Sequence, residues 1–268
     1  MGDVIKVEAS VVSRKGIVNI ANSVSYYMNG KFLGNNDSDD IQVSIEDSSK
    51  SSLFAICTGM EGKYDESENP VSMTNEIGKL YDKIKDTGLD ISGILSQLSE
   101  RVDETANLIY SLKVNSLGVP DSNGAFAGII FHEGKAVGIN IGKNHIALLR
   151  NGELTHLTVD YSEPSKLLKM GLINDEQAVN LSGKTDDLKN DGRKKLTTTE
   201  ILKVKKGDVF VLYTNELAEN VEEKSFKEIL SSSKDSDKAA YDLIQEAVKC
   251  GANDDVAALV VKVTGVYS

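Results

Sequence analysis

The chain has 268 residues, 40% of them hydrophobic and 26% charged, which is ordinary for a globular protein and enough to build a sizeable core in one large domain or two small ones. Thirty Lys and Arg against 41 Asp and Glu leave a net charge of −11, a surface sign that repels phosphate backbones and argues against nucleic acid or anionic membrane as partners. No apolar run reaches the length of a membrane span, and the start, Met-Gly-Asp-Val-Ile-Lys, lacks a signal peptide's apolar stretch, so a cytoplasmic protein is expected.

Val4–Ser13 is valine-rich and weakly alternating, which predicts a strand. Gly16 turns the chain into a second strand, Ile17–Tyr27, and Asn29-Gly30 is a hairpin signal. The polar run from Gly34 to Asp40 predicts a loop in which Asp37, Asp39 and Asp40 form a solvated face. Leu53–Cys57 is an apolar strand that stops at Thr58-Gly59-Met60-Glu61-Gly62. A strand ending in a Gly-x-x-Gly turn is a common seat of metal or phosphate chemistry. Here Thr58 stands where an aspartate would be expected.

Residues 63–73 are polar and loop-like, and two helices follow. The first is capped by Thr74, buries Ile77, Leu80, Tyr81 and Ile84, and ends at Gly88; the second buries Ile91, Ile94, Leu95, Leu98, Val102 and Ile109. Four short strands, Ala125–His132, Ala136–Ile141, His145–Leu149 and Leu154–Val159, predict a meander. Residues 160–195 are polar and mixed, with a short helix near Ser165–Met170. A strand over Asp208–Tyr213, a helix over Asp237–Cys250 burying Leu243, Ile244, Ala247 and Val248, and a strand over Val256–Val263 complete the order. There is no internal repeat. Strands, helices, strands, helix and strand in this order favour an α+β fold with helices on antiparallel sheets. Cys57, inside an apolar strand, reads as a buried reduced thiol rather than a disulfide partner of Cys250. His132, His145 and His156 show no metal-ligand spacing.

Seven short segments, taken together, resemble the metal-dependent protein phosphatases (the PPM, or type 2C, serine/threonine phosphatases). The stretch Gly16 to Val24 resembles the family's opening G-x-x-R-x-x-N-E-D, and Leu53 to Gly62 its L-F-A-V-x-D-G-M-G-G. Gly124-Ala125-Phe126 falls at G-T-T, and Ile141-Gly142-Lys143-Asn144-His145 at V-G-D-S-R. Leu157 to Ser162 resembles L-T-x-D-H-S, Gly207 to Leu217 resembles G-D-x-x-L-L-x-S-D-G-L, and Asn253-Asp254-Asp255-Val256 resembles the closing x-D-N-I. The order and spacing match the family from about residue 9 to about residue 263. The resemblance implies one domain over residues 1–268, a four-layer α-β-β-α sandwich of two antiparallel sheets flanked by helices, with a variable flap at about 163–195.

Such enzymes hydrolyse phosphoserine and phosphothreonine with two Mg²⁺ or Mn²⁺ ions, hard cations that require carboxylate oxygens. Position by position, the resemblance puts Ser23 and Val24 on the family's acidic pair, Thr58 and Asn215 on two further metal aspartates, and Asn19 on the phosphate-holding arginine. Asp254 is the one retained carboxylate, with the backbone carbonyl of Gly59 beside it. Glu61, Glu216 and Asp255 lie next to ligand positions, but adjacent strand residues point to opposite faces, so a one-residue shift usually aims a carboxylate away. The expectation is a catalytically inactive phosphatase-like module that binds a protein or phosphoprotein. No cofactor is expected beyond a weakly held Mg²⁺ or Mn²⁺ at Asp254. The alternative is a weak phosphatase with displaced ligands. Asp254 itself reads either as a turn residue ahead of a strand or as a remnant ligand for a single weakly held cation.

Overall fold

The protein is described by a computed structural model over residues 2–33, 40–59, 61–62, 71–117, 124–158, 177 and 196–268. The first strands are β1 (Val4–Arg14), β2 (Val24–Met28), β3 (Lys31–Leu33), β4 (Asp40–Ser49) and β5 (Ser51–Thr58), followed by the short pair β6 (Glu61–Gly62) and β7 (Val71–Ser72). Helices α1 (Met73–Ile84) and α2 (Ile91–Leu117) follow. Next come β8 (Ala125–His132), β9 (Lys135–Ile141), β10 (His145–Arg150), β11 (Glu153–His156), β12 (Leu196–Thr198), β13 (Leu202–Lys203) and β14 (Val209–Tyr213). Helices α3 (Asn215–Asn220), α4 (Glu223–Ser232) and α5 (Ser236–Lys249) precede the last strand, β15 (Val256–Tyr267).

Two antiparallel sheets result. One runs β11-β10-β14-β15-β1-β4; the other runs β12-β9-β8-β5-β2-β3, with β13 also paired to β9. The period of two along β5 explains the layering. Phe54 and Ile56 join a core that also takes Val7, Ala9 and Val11 from β1 and Phe210 and Leu212 from β14, so it lies between the sheets. The alternate residues Leu53, Ala55 and Cys57 pack on the other face against Met73, Ile77 and Tyr81 of α1 and Ile94, Leu98 and Val102 of α2. A third cluster joins the outer face of the first sheet, through Val211, Tyr213 and Val260, to Leu217, Phe226, Leu243 and Ile244 of α3, α4 and α5. Helices, sheet, sheet and helices are thus stacked in four layers, the expected α+β sandwich.

Several expected elements change. Residues 17–23 are turns and bends, not strand, and β2 begins only at Val24. The chain turns there because the Asn19 amide donates back to the Gly16 carbonyl at 3.2 Å. Asn29 (φ 41°) and Gly30 (φ 96°) form the two-residue hairpin between β2 and β3. Strand β4 was not anticipated; it is an edge strand paired to β1 alone, half-buried in alternation, so its apolar signal is diluted by Gln, Ser, Glu and Asp. The N-cap of α1 is Ser72, while the Thr74 hydroxyl bonds the hydroxyls of Ser72 and Ser25 instead. The four strands expected as one meander divide between the sheets: β8 and β9 pair in one, β10 and β11 in the other. Asp208 lies before β14 and is nearly fully buried, with the Arg150 guanidinium donating through Nε (2.7 Å) and Nη2 (2.6 Å). Cys57 is buried and Cys250 exposed, and both are free thiols. Residues 160–176 and the greater part of the expected flap lie outside the described residues. No described helix is long and apolar enough to cross a membrane.

Phe131 of β8 meets Phe54 of the same sheet edge-to-face at 5.9 Å and Phe210 of the opposite sheet at 5.1 Å. Phe131→Ala is therefore expected to cost about 3–5 kcal/mol, read as a lower urea midpoint at unchanged m-value. Burial holds the His156 imidazole below its ordinary 6.5, with Glu223 working in the opposite direction. The unfolded chain then takes up this proton before the folded one does. The associated stability is fully present above about pH 6.5 and declines as pH falls toward the folded value. His156→Gln is expected to flatten that limb in urea titrations across pH 5–7.

Candidate functional site

The C-terminal end of β5 sits in the middle of its sheet, with Thr58 opposite Val24 of β2 on one side and Ala125 of β8 on the other. Gly59 follows in a left-handed conformation (φ 60°), which lets its amide reach back to the Ser23 carbonyl at 3.1 Å. From the other sheet, β14 ends at Tyr213, Thr214 is the N-cap residue of the helix that follows, and the loop before β15 brings Asn253 to Asp255. Between the two sheet ends lies a polar cleft of about 530 Å³, lined by Ser23, Thr58, Gly59 and Ala125 on one side and Thr214, Asn215, Glu216, Asp254 and Asp255 on the other, with Lys143 and Asn144 at the turn between β9 and β10.

Of the candidate residues, Ser23, Thr58, Gly59, Asn215 and Asp254 line this cleft. The Thr58 hydroxyl donates to Asn144 Oδ1 at 3.4 Å, and Asn144 Nδ2 in turn donates to the Ala125 carbonyl at 3.2 Å. Val24 is fully buried and does not line the cleft. Asn215, the first residue of α3, donates through Nδ2 to Glu219 Oε1 at 2.9 Å. Asn19 Nδ2 donates to Asp254 Oδ1 at 2.7 Å, the same oxygen that accepts the Asp255 amide at 2.7 Å. Asp254 is exposed, whereas Asp255 is buried.

The carboxylates next to the retained position are turned to structural use. Asp255 Oδ1 accepts from the Gly16 amide at 2.8 Å; Oδ2 accepts from the Ser23 amide at 2.6 Å and the Ser23 hydroxyl at 2.7 Å. Glu216 Oε1 accepts from the amides of Asn253 (2.6 Å) and Asp254 (3.2 Å), so it caps the loop. Glu61 lies on β6, paired with Ser72. Asp40 starts β4, opposite Arg14 and away from the cleft, while Asp37 and Asp39 lie outside the described residues. Asn144, which lies in the Ile141–His145 motif without an expected role, and the Ser23–Asp255 link are two features of the cleft that no motif signals.

The cleft offers hydroxyls, amides, one lysine and three carboxylates, each of which accepts from at least one backbone amide. A pair of hard divalent ions needs several converging carboxylate oxygens, each within about 2.0–2.6 Å of a metal. Among the described residues no group of three or more His, Cys, Asp and Glu is arranged to hold a metal ion. Among the described residues the donor set does not fit a two-metal centre.

No family model matches the chain. It is 24% identical over 222 residues to the serine/threonine phosphatase stp of Listeria innocua, covering 81% of this chain and 87% of that protein. The solved structure of PppA, described as a key regulatory component of T6SS in Pseudomonas aeruginosa, superposes with a TM-score of 0.64 at 17% identity, covering 97% of this chain and 99% of that one. The catalytic domain of the serine/threonine phosphatase PstP, solved in complex with two manganese ions, superposes with a TM-score of 0.60 at 20% identity, covering 97% and 100%. The chain has the fold of the PPM phosphatases, and at these identities the structural likeness establishes the fold alone.

Removing the Asp255 carboxylate leaves the amides of Gly16 and Ser23 without their acceptor. Asp255→Ala is expected to cost about 3 kcal/mol by urea denaturation. Faster hydrogen exchange at those two amides would locate the loss in this loop.

Proposed function

We propose that this protein is a phosphatase-fold binding module, acting in the cytoplasm, that engages a protein or phosphoprotein and does not hydrolyse it. The observation that carries the reading is the state of the positions matched to metal ligands. Ser23, Val24, Thr58 and Asn215 bear no carboxylate, and three of their side chains are joined to neighbours within the protein: Ser23 to Asp255, Thr58 to Asn144, and Asn215 to Glu219. A carboxylate cluster stripped of its ions would repel itself. Here the four positions carry two hydroxyls, an amide and an apolar side chain, so none of them adds a charge that a cation would have to offset.

The phosphate side agrees. An arginine can clamp a phosphate with two parallel hydrogen bonds. Asn19 stands at that position and spends its amide on Asp254. The competing reading, a weak metal-dependent phosphatase with displaced ligands, needs Glu61, Glu216 or Asp255 to converge near Asp254, and of these Glu216 and Asp255 line the cleft. Both are already engaged by backbone amides whose loss would be costly.

Two measurements on one preparation test this reading. Calorimetric titration with MnCl₂ is expected to show no saturable binding up to millimolar concentration. A phosphothreonine peptide incubated with protein and Mn²⁺ is expected to release phosphate at the rate of the protein-free blank. Phosphate release that scales with protein concentration and disappears in Asp254→Ala would establish the weak phosphatase instead.

A further inference from the structure

Three large apolar side chains crowd one turn beside the cleft. Ile17 is 84% exposed, Val18 70% and Ile20 99%; the other large apolar residues exposed among those described, Ile201, Tyr241 and Tyr267, lie elsewhere in the chain. Single exposed apolar residues are ordinary, but three within four positions form a patch of the kind that marks an interaction site.

This tip is anchored rather than loose. Its base is tied by the Gly16 and Ser23 amides to Asp255, its middle by Asn19 Nδ2 to Asp254, and its own turn closes from the Asn19 amide to the Gly16 carbonyl. Gly16 lies flat on the opposing loop: a Cβ there would stand 2.4 Å from the Asn253 carbonyl oxygen and 2.6 Å from the Asp254 Cα. The two aspartates of the closing motif therefore hold an apolar knob at the lip of the cleft. A preorganised apolar projection is the form that interface hot spots take, because little ordering entropy remains to be lost on binding.

Charge decides what covers it. The cleft beside the tip is lined by Glu216, Asp254 and Asp255 against Lys143, and the chain as a whole carries −11. The groups that bond Glu216 and Asp254 are amides, which leave the charge in place. Of the two cations that precede the tip, Arg14 and Lys15, the first stands opposite Asp40 across the β1–β4 pair. A second copy of this chain would bring the same excess of acid, and an anionic bilayer would repel it.

We infer that the Ile17–Ile20 tip is the docking knob for a partner protein presenting an apolar surface flanked by Lys or Arg. The knob would seat in the apolar part while the flanking cations face the acidic cleft. The inference rests on the binding-module reading and names the surface and the chemistry of its partner.

The test uses the full chain and a fluorescent amphipathic peptide of Leu and Lys at helical spacing, read by anisotropy at physiological salt. A peptide of the same pattern with Glu in place of Lys serves as control. The Leu/Lys peptide is expected to bind, the Leu/Glu peptide not to. The triple variant Ile17→Ser, Val18→Ser, Ile20→Ser is expected to weaken the Leu/Lys peptide at least tenfold while thermal unfolding stays unchanged. Equal affinity of the variant and the unaltered protein would reduce the effect to bulk charge and overturn the assignment, as would no binding at all. Loop-dependent flotation with phosphatidylcholine–phosphatidylglycerol vesicles would replace the partner with a membrane. A loop-dependent dimer in size-exclusion chromatography would replace it with a second copy. Phosphopeptide turnover alongside loop-dependent peptide binding would sink the binding-module reading and leave the docking surface standing.

Discussion

The carboxylate of Asp255 is buried and accepts three hydrogen bonds from two residues of a loop more than 200 positions earlier in the chain. The form of the cleft follows from that contact. It draws the β1–β2 loop onto the loop before β15, and so brings the end of one sheet against the end of the other. Asn253 and Asp254 are held in turn by Glu216 at the start of α3. Three loops from distant parts of the chain are thus joined by carboxylates that accept from backbone amides, the class of hydrogen bond that is strongest when the acceptor is ionised. In a metal-dependent phosphatase, carboxylates at such a place would converge on cations. Here they converge on the chain itself.

The sandwich makes this arrangement possible by leaving the sheet ends free. The strands β5 and β15 are buried along nearly all their length, so they carry structure and little else. Chemistry can be changed at Thr58, where β5 emerges into the cleft, without disturbing Leu53 to Cys57 behind it. The same separation divides the strand's duties: the two faces of β5 answer to packing, while its last residue answers to whatever the cleft holds.

Much of the architecture was legible because β5, β8, β14 and β15 are apolar runs bounded by glycine turns, and α1, α2 and α5 carry apolar residues at helical spacing. What escaped reading was set by tertiary context. The stretch Ile17 to Ile20 has β-forming residues, and local propensity makes it a strand; Gly16 and Asn19 close a turn there instead, because the loop is pinned to Asp254 and Asp255. Strand β4 reads as polar because an edge strand buries only alternate residues, and those incompletely. Ser23, Thr58, Gly59, Asn215 and Asp254, all of which line the cleft, could be picked out from the family resemblance. Their bonding could not, since Thr58 with Asn144 and Ser23 with Asp255 join positions 86 and 232 residues apart.

The pairing of β1 with β15 has a kinetic side. Val4 stands opposite Tyr267, and Arg14 opposite Val256. As the chain emerges from the ribosome, β1 can take β4 as a neighbour early, but its other edge stays open until β15 has been made. Contacts of such separation form slowly, and an unpaired edge is a template for aggregation in the meantime. Synthesis of this fold therefore includes a waiting period, during which one edge of β1 stays uncovered until β15 arrives to pair with it.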